Sequence, residues 1–157
     1  MKIALLMIGK TDSAAYAAGI DDYARRINRY LPFEVCTVPD LKNTRNMPYA
    51  VQKEKEGELI LRALRPGDYC TLLDERGRAH TSEGFAAYLE GRMQAVQGRM
   101  VFIVGGPYGF SQPVCQAAAD MISLSPMTFS HQMVRLLFAE QLYRALTIIN
   151  GDPYHHG

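Results

Sequence analysis

The sequence predicts an α/β fold in which a parallel-rich sheet is covered by helices. Apolar, β-branched runs alternate with stretches of helical periodicity along all 157 residues, as in chains built from parallel β-α units. The run Met100–Val104 also carries no polar alternation, which is typical of a strand buried on both faces by helices. This length predicts one domain, residues 1–157, with room for a substantial core.

The first half of the chain contains three predicted strands and two predicted helices. Asp12 or Ser13 can cap a first helix that continues to about Tyr30. Pro48 suits the first turn of a second helix, which ends near Leu64. The three apolar runs expected to form strands are residues 2–9, 33–38 and 69–74.

The second half continues the same alternation. Thr81 or Ser82 can cap a third helix that ends near Gly98, and Met100–Val104 is the fourth strand. A short fourth helix opens at Ser111 and Pro113, and a fifth strand and a long last helix follow over residues 121–124 and 131–149. The tail, residues 151–157, contains too many glycines and prolines to be helical.

The last predicted helix carries apolar side chains around nearly its whole circumference. They include Met133, Val134, Leu136, Leu137, Phe138, Leu142, Leu146, Ile148 and Ile149. A helix with this pattern must be buried on more than one side. A chain of this length is expected to cover one side, so the pattern predicts that a second copy covers the other in a homodimer.

The charge and the cysteines limit the classes of function. The chain has 17 Lys and Arg against 16 Asp and Glu, a net charge of +1, so any RNA contact must use local patches. Three widely spaced cysteines fit buried free thiols in a reducing cytoplasm better than disulfides or metal ligands. No apolar run has the length of a membrane span. We therefore expect a cytoplasmic protein with neither a metal nor a membrane partner.

Two loops at strand ends form a candidate ligand site. Gly105-Gly106 follows the central strand, and adjacent glycines let a backbone turn sharply and approach a ligand. Ligands of open α/β sheets bind outside the carboxyl ends of the strands. Asp74 follows the third strand, and Leu124–His131 follows the fifth, so both belong at the same edge. The structural alternative is a tight turn with no ligand.

Five short motifs, in order and at matching spacing, carry a resemblance to a known family. They are LLD at 72–74, IVGGPYG at 103–109, LSPMTFSHQMVR at 124–135, EQLYRA at 140–145 and PYHH at 153–156. On these motifs the whole chain resembles the α/β-knot (SPOUT) methyltransferases. Within that family it is similar to the small enzymes that methylate N3 of a pseudouridine in large-subunit ribosomal RNA (position 1915 of 23S RNA).

The resemblance implies a SPOUT fold whose last loops are threaded into a C-terminal trefoil knot. It implies that S-adenosylmethionine binds there to Leu73, Gly105, Leu124, Ser125, Pro126, Met127, Thr128 and Phe129. The chemistry of these residues is compatible with that role, because the apolar ones offer a slot for adenine and loop backbone groups can bond its edge. The implied acceptor is ribosomal RNA within the assembled ribosome.

Methylation of an imide nitrogen requires the loss of its proton, so a base or anion-stabilising donors are expected nearby. His155 is the candidate base, Tyr154 can stack on or bond the nucleobase, and Arg144 can hold the anion or a phosphate. The candidate substrate-binding residues are His131, Arg135 and Glu140. Each of these residues also has a purely structural alternative. His131 can begin the last helix, Arg144 can pair only with Glu140, and His155 can belong to a frayed chain end.

Two other functions remain open on the sequence alone. One is a non-catalytic ribosome-binding or assembly protein with the same fold. The other is a flavodoxin-like nucleotide-binding enzyme, although no Walker lysine accompanies the glycine loop. Tight binding of S-adenosylmethionine would exclude the flavodoxin-like enzyme. Transfer of a methyl group to RNA would exclude the non-catalytic protein.

Overall fold

A five-stranded sheet runs through the centre of the computed structural model, which describes residues 1–157. The strands are β1 (Lys2–Ile8), β2 (Phe33–Val38), β3 (Tyr69–Ala79), β4 (Arg99–Val104) and β5 (Asp120–Ser123). The helices are α1 (Ala14–Ile27), α2 (Tyr49–Ala63), α3 (Ser82–Ala95), α4 (Gln112–Ala117) and α5 (Met133–Asn150). Every strand pair is parallel and the strand order is β2-β1-β4-β3-β5, which confirms the predicted parallel α/β fold.

The two faces of the sheet bury two separate cores. Along β1, Ile3, Leu5 and Met7 face a core that includes side chains of α1, α3 and α5. The alternate residues of β1 face a second core with Ile60 of α2 and Val114 of α4. Strands β1 and β4 are therefore covered on both faces, which explains why their sequences lack polar alternation.

Short side chains set the starts of three helices. Ser13, Thr81 and Ser111 each accept a hydrogen bond from a backbone N–H in the first turn of α1, α3 and α4. Helix α5 begins at Met133, two residues later than predicted, because His131 and Gln132 form a turn. It ends at Gly151, whose φ of 74° terminates the helix in a left-handed conformation.

Strand β3 is longer than predicted. The sequence indicated a turn after Asp74, but the strand continues to Ala79 through an irregularity in its pairing with β5. Leu73 and Arg78 both pair with Ile122, so the residues between them bulge out of the ladder. Gly77 allows this close passage, because a Cβ there would lie 2.6 Å from the carbonyl carbon of Met121.

Helix α5 packs against the sheet between α1 and α3. Its large apolar side chains are all buried or half-buried within one chain, and the exposed large apolar residues lie elsewhere. Burial on more than one side is thus confirmed, but α1 and α3 supply it, so the apolar circumference alone does not require a second copy. The homodimer stays a prediction. None of the helices combines the length and apolarity needed to cross a membrane.

Candidate functional site

A cavity of about 330 Å³ lies at the carboxyl edge of the sheet, between the ends of β3 and β4. Leu73, which pairs with the last residue of β4 just before the bulge in β3, and Gly105 after β4 both line it. The connection that leaves β3 passes through α3 on one face of the sheet. The connection that leaves β4 passes through α4 on the other face. Open α/β sheets bind ligands at such a point, where the connections from two neighbouring strands leave over opposite faces of the sheet.

The cavity brings together most of the residues that the sequence assigned to a methyl donor. Those that line it are Leu73, Gly105, Leu124, Ser125, Met127, Thr128 and Phe129. Pro126 does not line it, whereas His131, predicted to bind substrate, does. Sequence reasoning placed Asp74 at this edge but missed Phe110 and Val134, which also line the cavity. Both are apolar, so the sequence does not distinguish them from residues of the core.

One segment forms a wall of the cavity and crosses the edge of the sheet. This crossing segment, residues 124–132, leads from the end of the edge strand β5 to the start of α5, which lies beside the end of β1. The Thr128 hydroxyl donates to Glu75 of β3, and the backbone N–H of Asp12 donates to Gln132 Oε1 at 2.8 Å. Hydrogen bonds therefore hold the segment at its middle and at the end that leads into α5. Threading of this region into a knot stays a prediction of the resemblance.

Arg135 has a different role from the one predicted. Its side chain is fully buried, and its guanidinium donates to the carbonyls of Ile8 at 2.6 Å, Gly9 at 2.9 Å and His131 at 3.0 Å. A fourth bond reaches the Thr11 hydroxyl at 3.1 Å. The donors of Arg135 are thus used inside the protein, which corrects the expectation of a substrate contact. The residue joins α5 to the end of β1.

The glycine loop, residues 105–110, needs its two adjacent glycines for packing. A Cβ on Gly105 would lie 3.1 Å from the ring of Phe110. A Cβ on Gly106 would lie 2.5 Å from Oε1 of Glu56, a buried carboxyl group of α2. Burial raises the pKa of Glu56, and its Oε1 has no hydrogen-bond partner. One side of the loop therefore packs closely against Phe110 and Glu56, and most of its residues also line the cavity.

The charges around the cavity favour a neutral or cationic ligand. No lysine or arginine lines it, so it offers no side chain that would hold a polyphosphate. Asp74 and Glu75 lie on its rim. Burial acts to raise the pKa of Asp74, but hydrogen bonds from Arg76, the shortest 2.9 Å, outweigh it, so the pKa is lowered and Asp74 is a carboxylate at neutral pH.

The predicted catalytic residues lie in a second cluster together with Glu83 and with Glu140, which was predicted to bind substrate. We call it the tail cluster: Glu83, Glu140, Arg144, Tyr154 and His155. The Arg144 Nε donates to Glu140 at 3.1 Å, and its carbon Cζ lies 4.8 Å from the centre of the Tyr154 ring. The Tyr154 hydroxyl donates to Glu140 at 3.4 Å. None of these residues lines the cavity of the same chain.

The hydrogen bonds of His155 define its tautomer. Arginine carries only donors, so Nδ1 of His155 accepts from Arg144 at 2.9 Å. The proton of a neutral ring then lies on Nε2, which donates to Glu83 Oε1 at 2.8 Å. Both ring nitrogens are occupied in this arrangement. To serve as a base, His155 must first exchange its bond to Arg144 for one to a substrate proton. Glu83 is a partner that sequence reasoning missed.

The fold and the site together define a class of protein. It is a parallel α/β protein with a cavity of about 330 Å³ between β3 and β4, formed by a glycine loop and a crossing segment. No group of three or more His, Cys, Asp or Glu side chains is arranged to hold a metal ion.

Comparison with known proteins places the chain in a family. Residues 1–155 match the family described as "Predicted SPOUT methyltransferase", and the chain belongs to that family. It is 58% identical over 156 residues to the ribosomal RNA large subunit methyltransferase H of Parabacteroides distasonis, covering 99% of both chains. It is 53% identical to the protein of the same name from Bacteroides thetaiotaomicron, again over 99% of both.

A solved structure supports the fold. The crystal structure of a "Probable Methyltransferase from Bordetella pertussis Tohama I" superposes with a TM-score of 0.55, covering 92% of this chain and 93% of that one. Its sequence identity is 16%, so this likeness bears on the fold alone.

Proposed function

We propose that this chain transfers a methyl group from S-adenosylmethionine to N3 of a pseudouridine in large-subunit ribosomal RNA, in the cytoplasm. The observation that carries the proposal is the cavity between β3 and β4 in a chain of the SPOUT methyltransferase family. Its relatives at 58% and 53% identity are named for methylation of large-subunit ribosomal RNA.

The cavity fits the donor in shape and charge. Its volume of about 330 Å³ lies at the small end of the range for ligand sites, about 300–1,000 Å³. Leu73, Leu124 and Phe129 supply apolar surface for an adenine ring. The donor carries a sulfonium and an ammonium group, and Asp74 and Glu75 on the rim suit such positive charge. No lysine or arginine lines the cavity to hold a triphosphate, and the nearby Arg76 is paired with Asp74.

The donor supplies an activated methyl group, and the protein supplies orientation and a route for one proton. The bond from sulfur to carbon breaks as the bond from N3 to carbon forms, and the N3 proton must leave. The crossing segment, as a wall of the cavity, would help to hold the reacting atoms in line and to exclude water. His155 accepts the proton once Arg144 has turned from its ring to the developing anion.

The donor site and the tail cluster lie apart within one chain, so we propose that they meet across a homodimer. The tail follows directly after α5, and Tyr154 and His155 are half-buried rather than deeply packed. A tail that reaches the cavity of a second copy would bring a base and a nucleobase-stacking ring to the donor.

Labelled methyl transfer tests the proposed reaction. Ribosomes from cells that lack this protein should accept a labelled methyl group, and mapping should place it on one pseudouridine at N3. With a net charge of +1, the chain gains little counterion release on isolated RNA. We therefore expect a naked stem-loop to be a poor substrate. Tight ribosome binding without transfer would favour the assembly protein instead, and equal activity on both substrates would contradict the need for a preformed surface.

A further inference from the structure

Two tyrosines form a stacked pair outside the cavity that the reaction does not use. The rings of Tyr49 and Tyr108 lie 4.1 Å apart between centroids, at an interplanar angle of 17°. Tyr49 is the first residue of α2, and Tyr108 lies in the glycine loop. Tyr49 is 67% exposed, far more than is usual for a large aromatic side chain.

The pair is held beside the candidate donor site. Tyr108 lies at the tip of a tight turn, which is closed by a bridge between Gly106 and Gly109 and a hydrogen bond of 3.2 Å between their backbones. Pro107 and Gly109, the neighbours of Tyr108, both line the cavity. The ring of Tyr108 covers one face of Tyr49 and leaves the other face open to solvent.

Three cations in no ion pair lie close to Tyr49 along the chain. Lys53 follows Tyr49 by four residues on α2, so the two side chains lie on the same side of the helix. Lys42 and Arg45 lie in the loop before α2. None of these three cations takes part in an ion pair of the structure. They are available to phosphates beside the exposed ring.

We propose that Tyr49, held flat by Tyr108, is a stacking platform for an unpaired base of the RNA that carries the target nucleotide. Sequence-specific contacts to RNA are made mostly to unstacked bases, which lie on aromatic rings while cations hold the backbone. A ring already stacked on one side loses little side-chain freedom when a base covers the other. The proposal rests on the proposed RNA methyltransferase function and adds a contact outside the donor cavity.

Substitutions at Tyr49 test the platform, because Tyr49 does not line the cavity. Tyr49→Ala should weaken binding to ribosomes from cells lacking the protein by about tenfold, within the range measured for base–aromatic stacking. The KM for those ribosomes should rise by a similar factor. The affinity for S-adenosylmethionine and the thermal midpoint should stay unchanged, which would show that the variant is folded. Tyr49→Phe should restore binding, since the ring is kept.

Two further variants separate stacking from other contacts. Tyr49→Leu keeps apolar bulk without a flat ring, so it should bind as weakly as Tyr49→Ala. Val51→Ala removes another exposed apolar side chain of α2, on a different side of the helix, and is the matched control. If Tyr49→Leu binds like the wild type, the site is an apolar contact, such as one to a ribosomal protein, and the platform is wrong.

The outcomes also distinguish this proposal from the proposed function. A wild-type protein that binds ribosomes through Tyr49 but transfers no methyl group would retain the platform and overturn the reaction. A wild-type protein that methylates ribosomes while Tyr49→Ala matches it in both affinity and KM would overturn only the platform. Absence of ribosome binding by the wild type would overturn both.

Discussion

At the scale of single residues, the two adjacent glycines of the glycine loop differ in what surrounds them. Gly105→Val places a branched side chain against Phe110 and into the cavity, so binding of S-adenosylmethionine should be lost in a folded protein. Gly106→Ala forces Glu56 to move, since a Cβ would lie 2.5 Å from its Oε1. That variant should lower the thermal midpoint and also weaken donor binding.

Calorimetric titration and thermal denaturation measure these two effects. Gly91→Ala is the matched control, because Gly91 lies on α3 with open space where a Cβ would be. This change should leave donor binding intact and add up to about 1 kcal/mol of helix stability. An unchanged donor affinity in Gly105→Val would show that the ligand does not approach this loop.

Glu56 should make stability depend on pH in an identifiable way. Burial raises its pKa in the folded protein above the value of 4.5 for a free side chain, so folding favours the protonated form. This contribution is complete below pH 4.5 and is lost as the pH rises through the raised pKa. Glu56→Gln imitates the protonated group, so its thermal midpoint should exceed that of the wild type by more at pH 8 than at pH 4.5.

The control for this effect lies on the same helix. Glu54 is exposed on α2, so Glu54→Gln should change the midpoint little, and equally at the two pH values. If the difference between Glu56→Gln and the wild type does not vary with pH, the carboxyl group does not titrate on unfolding as its burial implies.

At the scale of elements, Arg135 is the main link between α5 and β1. Arg135→Met would leave the carbonyls of Ile8, Gly9 and His131 without these donors, which should cost on the order of 3 kcal/mol. Because the crossing segment ends directly before α5, donor affinity should fall as well. Denaturant unfolding measures the first effect. Arg62→Met, at an exposed position of α2, should change the free energy of unfolding by less than about 0.5 kcal/mol.

Most of the elements could be predicted from the sequence, because each had a local cause. Ser13, Thr81 and Ser111 begin helices where capping predicts. The extension of β3 could not be predicted, since it depends on Gly77 lying against the backbone of Met121 in a strand far along the chain. The strand order is likewise set by packing between distant segments rather than by any local pattern.

The site could be predicted only where a motif marks it. Glycines and a loop that follow strands indicate a ligand site at this edge, and the family resemblance implies the donor residues Gly105 and 124–129, most of which line the cavity. Arg135 is a candidate for substrate binding because an arginine can hold an anion or a phosphate, and no sequence pattern reports that its partners are carbonyls at the end of β1. The same limit applies to Glu83, which is 72 positions from its partner His155.

At the scale of the whole molecule, the separation of the donor cavity from the tail cluster predicts shared active sites. Within one chain, His155 is bound to Arg144 and Glu83, and neither it nor Tyr154 lines the cavity. In the proposed homodimer, a complete site would combine Gly105 and residues 124–129 of one copy with the tail of another. Sedimentation of the purified protein should show a dimer, and truncation before Tyr154 should abolish transfer while leaving donor binding intact.

Complementation between two inactive chains tests this arrangement directly. A Gly105→Val chain retains its tail but lacks a donor site, and a chain truncated before Tyr154 retains the donor site but lacks the tail. In a heterodimer of the two, one cavity is intact and faces the one intact tail, so each heterodimer should regain about one working site, half the activity of a wild-type dimer. Affinity tags of two kinds allow the heterodimer to be purified from both parents. A purified heterodimer that binds the donor but transfers no methyl group would mean that each chain must use its own tail, since the only intact tail then belongs to the chain without a donor site.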